Sequence, residues 1–148
     1  MRVDFYHLLT SPLERALPLL LEKVLQTGQR AVVMAGSEDR VEALAGVLWS
    51  YSPNAWLPHG SRKDGYAAEQ PIWLTDHDEN PNAARVLVLT DGMTSTHLTD
   101  YDRCLDMFDG GDAEATAAAR QRWTEAKTAG HELHYWQQTE TGWQEKAG

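Results

Sequence analysis

The chain has 148 residues, 42% of them hydrophobic and 24% charged, the balance of a folded domain rather than of a disordered chain. That length points to one domain over residues 1–148, with no run of about 18 apolar residues to cross a membrane and no apolar core or cleavage site of a signal peptide at its start. Thirteen Lys and Arg against 22 Asp and Glu leave a net charge of −9, which disfavours autonomous tight binding to duplex phosphates, while the one cysteine, Cys104, excludes an intrachain disulfide and a cysteine-only zinc site and fits a reduced, cytoplasmic chain.

Residues 3–9 are aromatic and branched and read as a first strand. Ser11 as N-cap, Pro12 at the first helical position and Glu14 three residues after the cap open a helix. Leu13, Leu17, Leu20, Leu21, Val24 and Leu25 share one face of it, and Gly28 suits its C-terminal cap. Pro18 is the anomaly: it removes one backbone bond and should kink the helix or delay its start. Residues 30–35 are a continuous apolar run, the pattern of a strand buried on both faces. Ser37 caps a second helix whose stripe is Val41, Leu44, Ala45 and Leu48 and which stops before Pro53.

Residues 54–59 read as a short extended segment or edge strand, and residues 60–70 as a polar loop. Strands follow at 71–75, 85–90 and 101–108, with a hydrophilic turn over 76–82. Gly110, Gly111 and Asp112 break the chain and cap a third helix over residues 113–129, which Gly130 ends. Residues 131–138 and 142–146 form a terminal strand or hairpin. Strands alternating with capped helices predict an α/β, Rossmann-like domain with a mostly parallel central sheet and helices on both faces.

Such a sheet often cradles a phosphate, but no strand here runs into a Gly-rich phosphate loop: the first ends at Leu8-Leu9-Thr10-Ser11-Pro12 and the second at Ala35-Gly36-Ser37. The run Asp76-His77-Asp78-Glu79 reads as a solvated turn rather than a metal site. His131 and His134 have no third ligand nearby, and Cys104 reads as a small buried hydrophobe. No cofactor, metal ion or nucleophile elbow is implied. The third helix is more informative. Arg120, Trp123 and Lys127 recur at spacings of three and four and so share a face, with Arg122 to one side. This is the clearest basic cluster in an acidic chain, although cations near a helix C-terminus also suit its dipole. Six tryptophans in 148 residues cannot all be deep in the core, because each indole N–H needs a partner. Trp56, just before Leu57-Pro58-His59, fits a core or an interface equally well.

Several runs resemble the chi subunit of bacterial DNA polymerase III: Phe5-Tyr6-His7-Leu8, Gly28-Gln29-Arg30-Ala31-Val32-Val33, Leu48-Trp49, Trp56-Leu57-Pro58-His59-Gly60, Asn82 before Val86-Leu87-Val88-Leu89, and Arg120-Gln121-Arg122-Trp123. The resemblance implies a non-catalytic accessory subunit in the cytoplasm, at the replisome on the nucleoid. It would attach to the clamp-loader complex through a psi subunit, bind the acidic C-terminal tail of single-stranded DNA-binding protein, touch DNA only indirectly and avoid membranes. It implies a tail pocket near Trp49, Phe108, Arg120, Trp123 and Lys127, where a guanidinium holds the terminal carboxylate and an apolar slot takes the terminal phenyl ring. It implies a psi-facing surface near Trp56, Leu57 and Pro58. Thr116 and Thr124 are uncharged where relatives carry lysine, and Asp109 adds an acid beside the pocket. The competing reading is a small α/β nucleotide-binding protein or enzyme with an unrecognised site.

Overall fold

A computed structural model describes residues 1–52 and 57–147. Eight strands form one sheet: β1 (Arg2–Leu8), β2 (Ala31–Met34), β3 (Gly60–Ser61), β4 (Ile72–Thr75), β5 (Val86–Leu89), β6 (Arg103–Asp109), β7 (Glu132–Gln138) and β8 (Trp143–Ala147). Their order is β3-β4-β2-β5-β6-β1-β7-β8, and every pairing is parallel except β7 with β8. The continuous apolar runs predicted this arrangement, since a parallel strand is covered on both faces. β2, β4 and β5 are buried at every position.

Alternation along the strands sorts the core into two layers. On one face Tyr6, Leu8, Val33, Ile72, Leu74, Leu105 and Met107 meet α1 (Leu13–Gln26) and α2 (Glu38–Ser50) through Leu17, Leu20, Leu21, Leu44 and Leu48. On the other, Val3, Phe5, Val32, Met34, Leu87, Cys104 and Phe108 meet α3 (Ala113–Thr128) through Ala119 and Trp123. α3 covers only part of that face. The rest lies under two loops pinned by side chains: Glu79 accepts from the Trp73 indole at 2.9 Å and the Thr75 hydroxyl at 2.7 Å, and Asp78 accepts from Ser95 Oγ at 2.7 Å and the Thr96 amide at 2.9 Å. The acidic run over 76–79 is therefore a hydrogen-bonded cover as well as a turn.

Most element ends follow the sequence signals. Ser37 Oγ accepts from the Arg40 amide at 3.2 Å, Asp112 accepts from the first amides of α3, and Gly28 (φ 80°) takes the left-handed position after α1. Three expectations need correction. Pro12, not Ser11, occupies the N-cap of α1, and the Ser11 hydroxyl instead accepts from Gln138 Nε2 at 2.6 Å. Gln138 in turn accepts from the amides of Leu9, Thr10 and Ser11, which ties the turn before α1 to the end of β7, while no side chain caps the helix itself. Pro18 does not delay α1, which begins at Leu13 and runs through the buried proline. The third strand is only Gly60–Ser61, after the expected 54–59; of those residues, 54–56 lie outside the described ones, and 57–59 are not strand.

β1, β6 and β7 are cross-linked by one buried carboxylate. Asp4, 0% exposed, accepts from Arg2 Nε and Nη2 at 3.0 Å each, from Arg103 Nε at 2.8 Å and from the Trp136 indole at 2.9 Å. Burial alone would raise this carboxyl, but those donors outweigh it and hold Asp4 below its ordinary value. Asp4→Asn leaves the arginines facing an amide. Because Arg2 and Arg103 are 41% and 35% exposed and can turn toward water, the expected cost is about 2–3 kcal/mol rather than that of a fully dry pair. A carboxyl depressed by folding contributes stability above its unfolded value that is lost on acidification. Urea unfolding of Asp4→Asn should therefore show lower stability at neutral pH and a shallower decline from about pH 5 toward pH 3.

Candidate protein-docking face on α3

α3 owes its orientation to few contacts. Only Ala119 is fully buried, so its apolar stripe is narrow. Its second anchor is ionic: Arg122 forks onto the buried Asp106 of β6, Nε to Oδ2 at 2.7 Å and Nη2 to Oδ1 at 3.0 Å. Burial pushes the Asp106 carboxyl up, and the Arg122 guanidinium pulls against that push. Residues two apart on a helix differ by about 200°, so seating Arg122 on the sheet sends Arg120 outward. Arg122, one of the basic residues expected on this helix, is thus neutralised from below. Arg120 and Lys127 are the exposed cations of the shared face.

Beside them lies an aromatic cluster. Trp123 meets Phe5 edge-on at 5.4 Å and Tyr135 at 5.7 Å between ring centroids. Tyr135 also adjoins His7 at 5.8 Å and Phe108 at 6.2 Å, and His7 lies 4.9 Å from Phe108. The Tyr135 hydroxyl shares a hydrogen bond with His7 Nδ1, and the Arg120 charge acts on both side chains. Burial first, and Arg120 with it, keep His7 below its ordinary value, whereas burial keeps the Tyr135 phenol above its own.

Of the five residues expected at one pocket, the structure gathers Phe108, Arg120, Trp123 and Lys127 on or beneath this flank, with Phe108 only 5% exposed and so a floor rather than a wall. Trp49 is not brought there. It sits on α2, across the sheet, 57% exposed, with its ring 4.4 Å from that of His59. The physical reason is the crossover pattern: α2 follows β2 onto one face and α3 follows β6 onto the other. On the second expected surface, Leu57 is 2% exposed and belongs to the core under α2, Pro58 is half-buried, and Trp56 lies outside the described residues. Thr124 bonds back to the Arg120 carbonyl at 3.1 Å, and Asp109 accepts from the Gly111 amide at 2.8 Å. Tyr135 was missed by sequence reasoning. Strand alternation could have set it with Leu133 opposite His134 and Trp136, but not against which helix.

The competing nucleotide reading meets a specific obstacle. In a doubly wound sheet a ligand binds at the strand carboxyl ends where successive crossovers take opposite faces. Here that point lies between β1 and β6, and a crevice of about 810 Å³ opens there. Its lining includes Glu14, Asp91, Asp109, Asp112 and Glu114. Asp91 already accepts from the Gly36 amide at 2.9 Å and from both arms of Arg40 at 3.2 Å, and Asp112 takes the first amides of α3. The donors a phosphate would use are held by the protein's own carboxylates. Among the described residues no group of three or more His, Cys, Asp or Glu is placed to hold a metal ion, and no helix is long and apolar enough to cross a membrane. Cys104 is buried, and burial pushes its thiol well up.

The family model for the DNA polymerase III chi subunit, HolC, matches residues 1–134. The chain belongs to that family. It is also 37% identical over 86 residues to the probable DNA polymerase III subunit chi of Rickettsia prowazekii (strain Madrid E). The match covers 58% of this chain and 52% of that protein, so the chain spans about half the length of the curated relative it matches. The family is described as that of a DNA polymerase III subunit.

The aromatic cluster needs one close backbone approach. A Cβ on Gly110 would lie 2.0 Å from His7 Cδ2, 2.1 Å from His7 Nε2 and 2.6 Å from the Leu8 carbonyl oxygen. Gly110→Ala should therefore cost about 1–3 kcal/mol in chemical denaturation and displace the His7 and Tyr135 ring signals in NMR spectra.

Proposed function

We propose that this chain, acting as one domain over residues 1–148, is a non-catalytic accessory subunit of the replicative polymerase in the cytoplasm. In this reading it joins a psi subunit, and through it the clamp loader, to the acidic C-terminal tail of single-stranded DNA-binding protein. The observation that carries the tail contact is the pairing pattern on α3: Arg122 is engaged by Asp106, while Arg120 and Lys127 stay exposed beside Trp123 and Tyr135. In a chain of net charge −9, a free guanidinium next to an aromatic flank suits a short peptide ending in an aromatic residue and a carboxylate.

Two electrostatic effects divide the work. Long-range attraction from Lys127 is screened over about 8 Å at physiological ionic strength. The Arg120 fork acts at short range and resists salt. The acidic surface opposes an acidic ligand, so the expected affinity is on the order of micromolar to tens of micromolar. Fluorescence anisotropy with a labelled acidic peptide ending in phenylalanine tests the reading. Arg120→Ala, or amidation of the peptide's terminal carboxylate, should weaken binding about tenfold or more. Lys127→Ala should weaken it less, and chiefly at low salt. Trp49→Ala, across the sheet, should leave the affinity within about twofold. An unchanged affinity on amidation would remove α3 as the tail site.

The psi contact is read onto the region around Trp56 and Pro58. The exposed Trp49 ring adjoins His59 there, while Leu57 supports the region from the core. Trp56→Ala should weaken co-purification with psi by about 2 kcal/mol and leave peptide binding intact. Undiminished co-purification of the folded variant would move the psi contact elsewhere.

A further inference from the structure

His7 lies at the junction of β1, β6, β7 and α3, yet the docking reading gives it no part. Its ring is fixed on three sides, by Phe108, by Tyr135 and by the backbone of Gly110, which leaves no room for a Cβ. Nδ1 faces the Tyr135 hydroxyl at 2.5 Å, and Nε2 is buried against Gly110 without a hydrogen bond of ordinary geometry. The titratable groups acting on the ring are Tyr135 from β7 and Arg120 from α3; β6 contributes the uncharged Phe108.

We propose that His7 and Tyr135 form a proton-controlled hydrogen-bond donor beside Arg120, so that docking of a peptide carboxylate strengthens as pH falls. The inference rests on the reading of α3 as the tail site and adds to it a residue pair that sets the pH response. A neutral imidazole has one acceptor nitrogen. With the ring proton assigned to Nε2, on the Gly110 side, the Tyr135 O–H donates to Nδ1 and its hydrogen is committed. When a proton from solvent binds Nδ1, the new N–H donates to the Tyr135 oxygen. The phenolic hydrogen then turns away from the ring and is free to donate to an anion at Arg120. No covalent bond changes apart from that of the added proton.

Three features of the site favour this coupling. The Tyr135 side chain is half-buried, and the Arg120 charge reaches its phenol. Burial and the Arg120 charge both disfavour protonated His7 in the free protein, leaving it neutral at physiological pH. A bound carboxylate offsets the Arg120 charge and accepts from the freed phenol, so it favours the protonated form. By linkage, the ligand must then raise the histidine's proton affinity by the same factor that protonation raises the ligand's.

The test measures affinity for the phenylalanine-terminated acidic peptide between about pH 8 and pH 5, a range above the ordinary titration of the peptide's own carboxylates. The wild type should tighten about fivefold to tenfold as pH falls. Tyr135→Phe keeps the ring and its packing but has no hydroxyl, and His7→Gln keeps a polar side chain that cannot take the charge. Each should flatten the profile to within about twofold. Arg120→Ala should lower affinity at every pH. In parallel, NMR titration of the free wild type should place His7 below the ordinary histidine value, and peptide should raise it; the amidated peptide should raise it much less. An unaltered pH slope in both Tyr135→Phe and His7→Gln, with binding still dependent on Arg120, overturns this inference alone. A His7 titration unmoved by bound peptide also overturns it. Failure of the wild type to bind the peptide at any pH overturns this inference together with the tail-site reading.

Discussion

The fork of Arg122 on Asp106 is the contact on which the orientation of α3, and with it the candidate docking face, depends. A helix that buries one alanine completely and a tryptophan in part has little apolar area to fix its rotation. A buried bidentate ion pair is directional where apolar contact is not, and it locks the helix at one angle. Such a pair is a poor source of net stability, because desolvating both ions offsets most of their attraction. Its value here is in specificity: turned by about 200°, two residues, α3 would bury Arg120 and expose Arg122. The buried Asp4 cluster does the equivalent work on the other face by fastening β1 to β6 and β7, the strands that carry Phe5, Phe108 and Tyr135.

The layering of the sheet was legible because apolar runs and capping residues are local signals. Residues 30–35 had to be covered on both faces, and Ser37 and Asp112 had to start helices. What stayed hidden was relational. Arg122 counted as a surface cation because its partner, 16 residues earlier, lies on a strand whose neighbour in space was unknown. Trp49 was joined to the α3 pocket although the direction of each crossover places α2 and α3 on opposite faces. Leu57 was given to a surface by the family resemblance, together with Trp56 and Pro58, yet an apolar side chain below a helix is drawn into the core whatever its neighbours do. The Ser11 hydroxyl is taken instead by Gln138, a residue 127 positions away that no local pattern could supply, and α1 is left without a side-chain cap.

The same relational logic separates this fold from the nucleotide-binding proteins it resembles in outline. The crevice is in the expected place, at the switch point between β1 and β6, and amides and a guanidinium converge there. Carboxylates of the chain itself, Asp91 and Asp112 above all, occupy those donors. Each is a short side chain reaching its amide without cost in loop length, so the pairing persists without a ligand. An anion would have to displace a tethered competitor at high effective concentration, surrounded by further acids.

For the peptide docking proposed on α3, that arrangement also bears on how little positive charge would suffice there. Thirteen cationic side chains serve a chain with 22 anionic ones, and those at Arg2, Arg40, Arg85, Arg103 and Arg122 are engaged with acids. An acidic peptide approaching the molecule is repelled over most of its surface. The exposed cations of α3 create a local minimum of that repulsion, and the aromatic flank beside them supplies contact that does not depend on charge. Repulsion elsewhere then serves selectivity, since a highly acidic chain gains nothing by sliding off this face. In the proposed docking, what would hold it are the short-range features found there together, a free guanidinium and the aromatic ring edges, and these would discriminate a carboxylate beside an aromatic side chain from acidity alone.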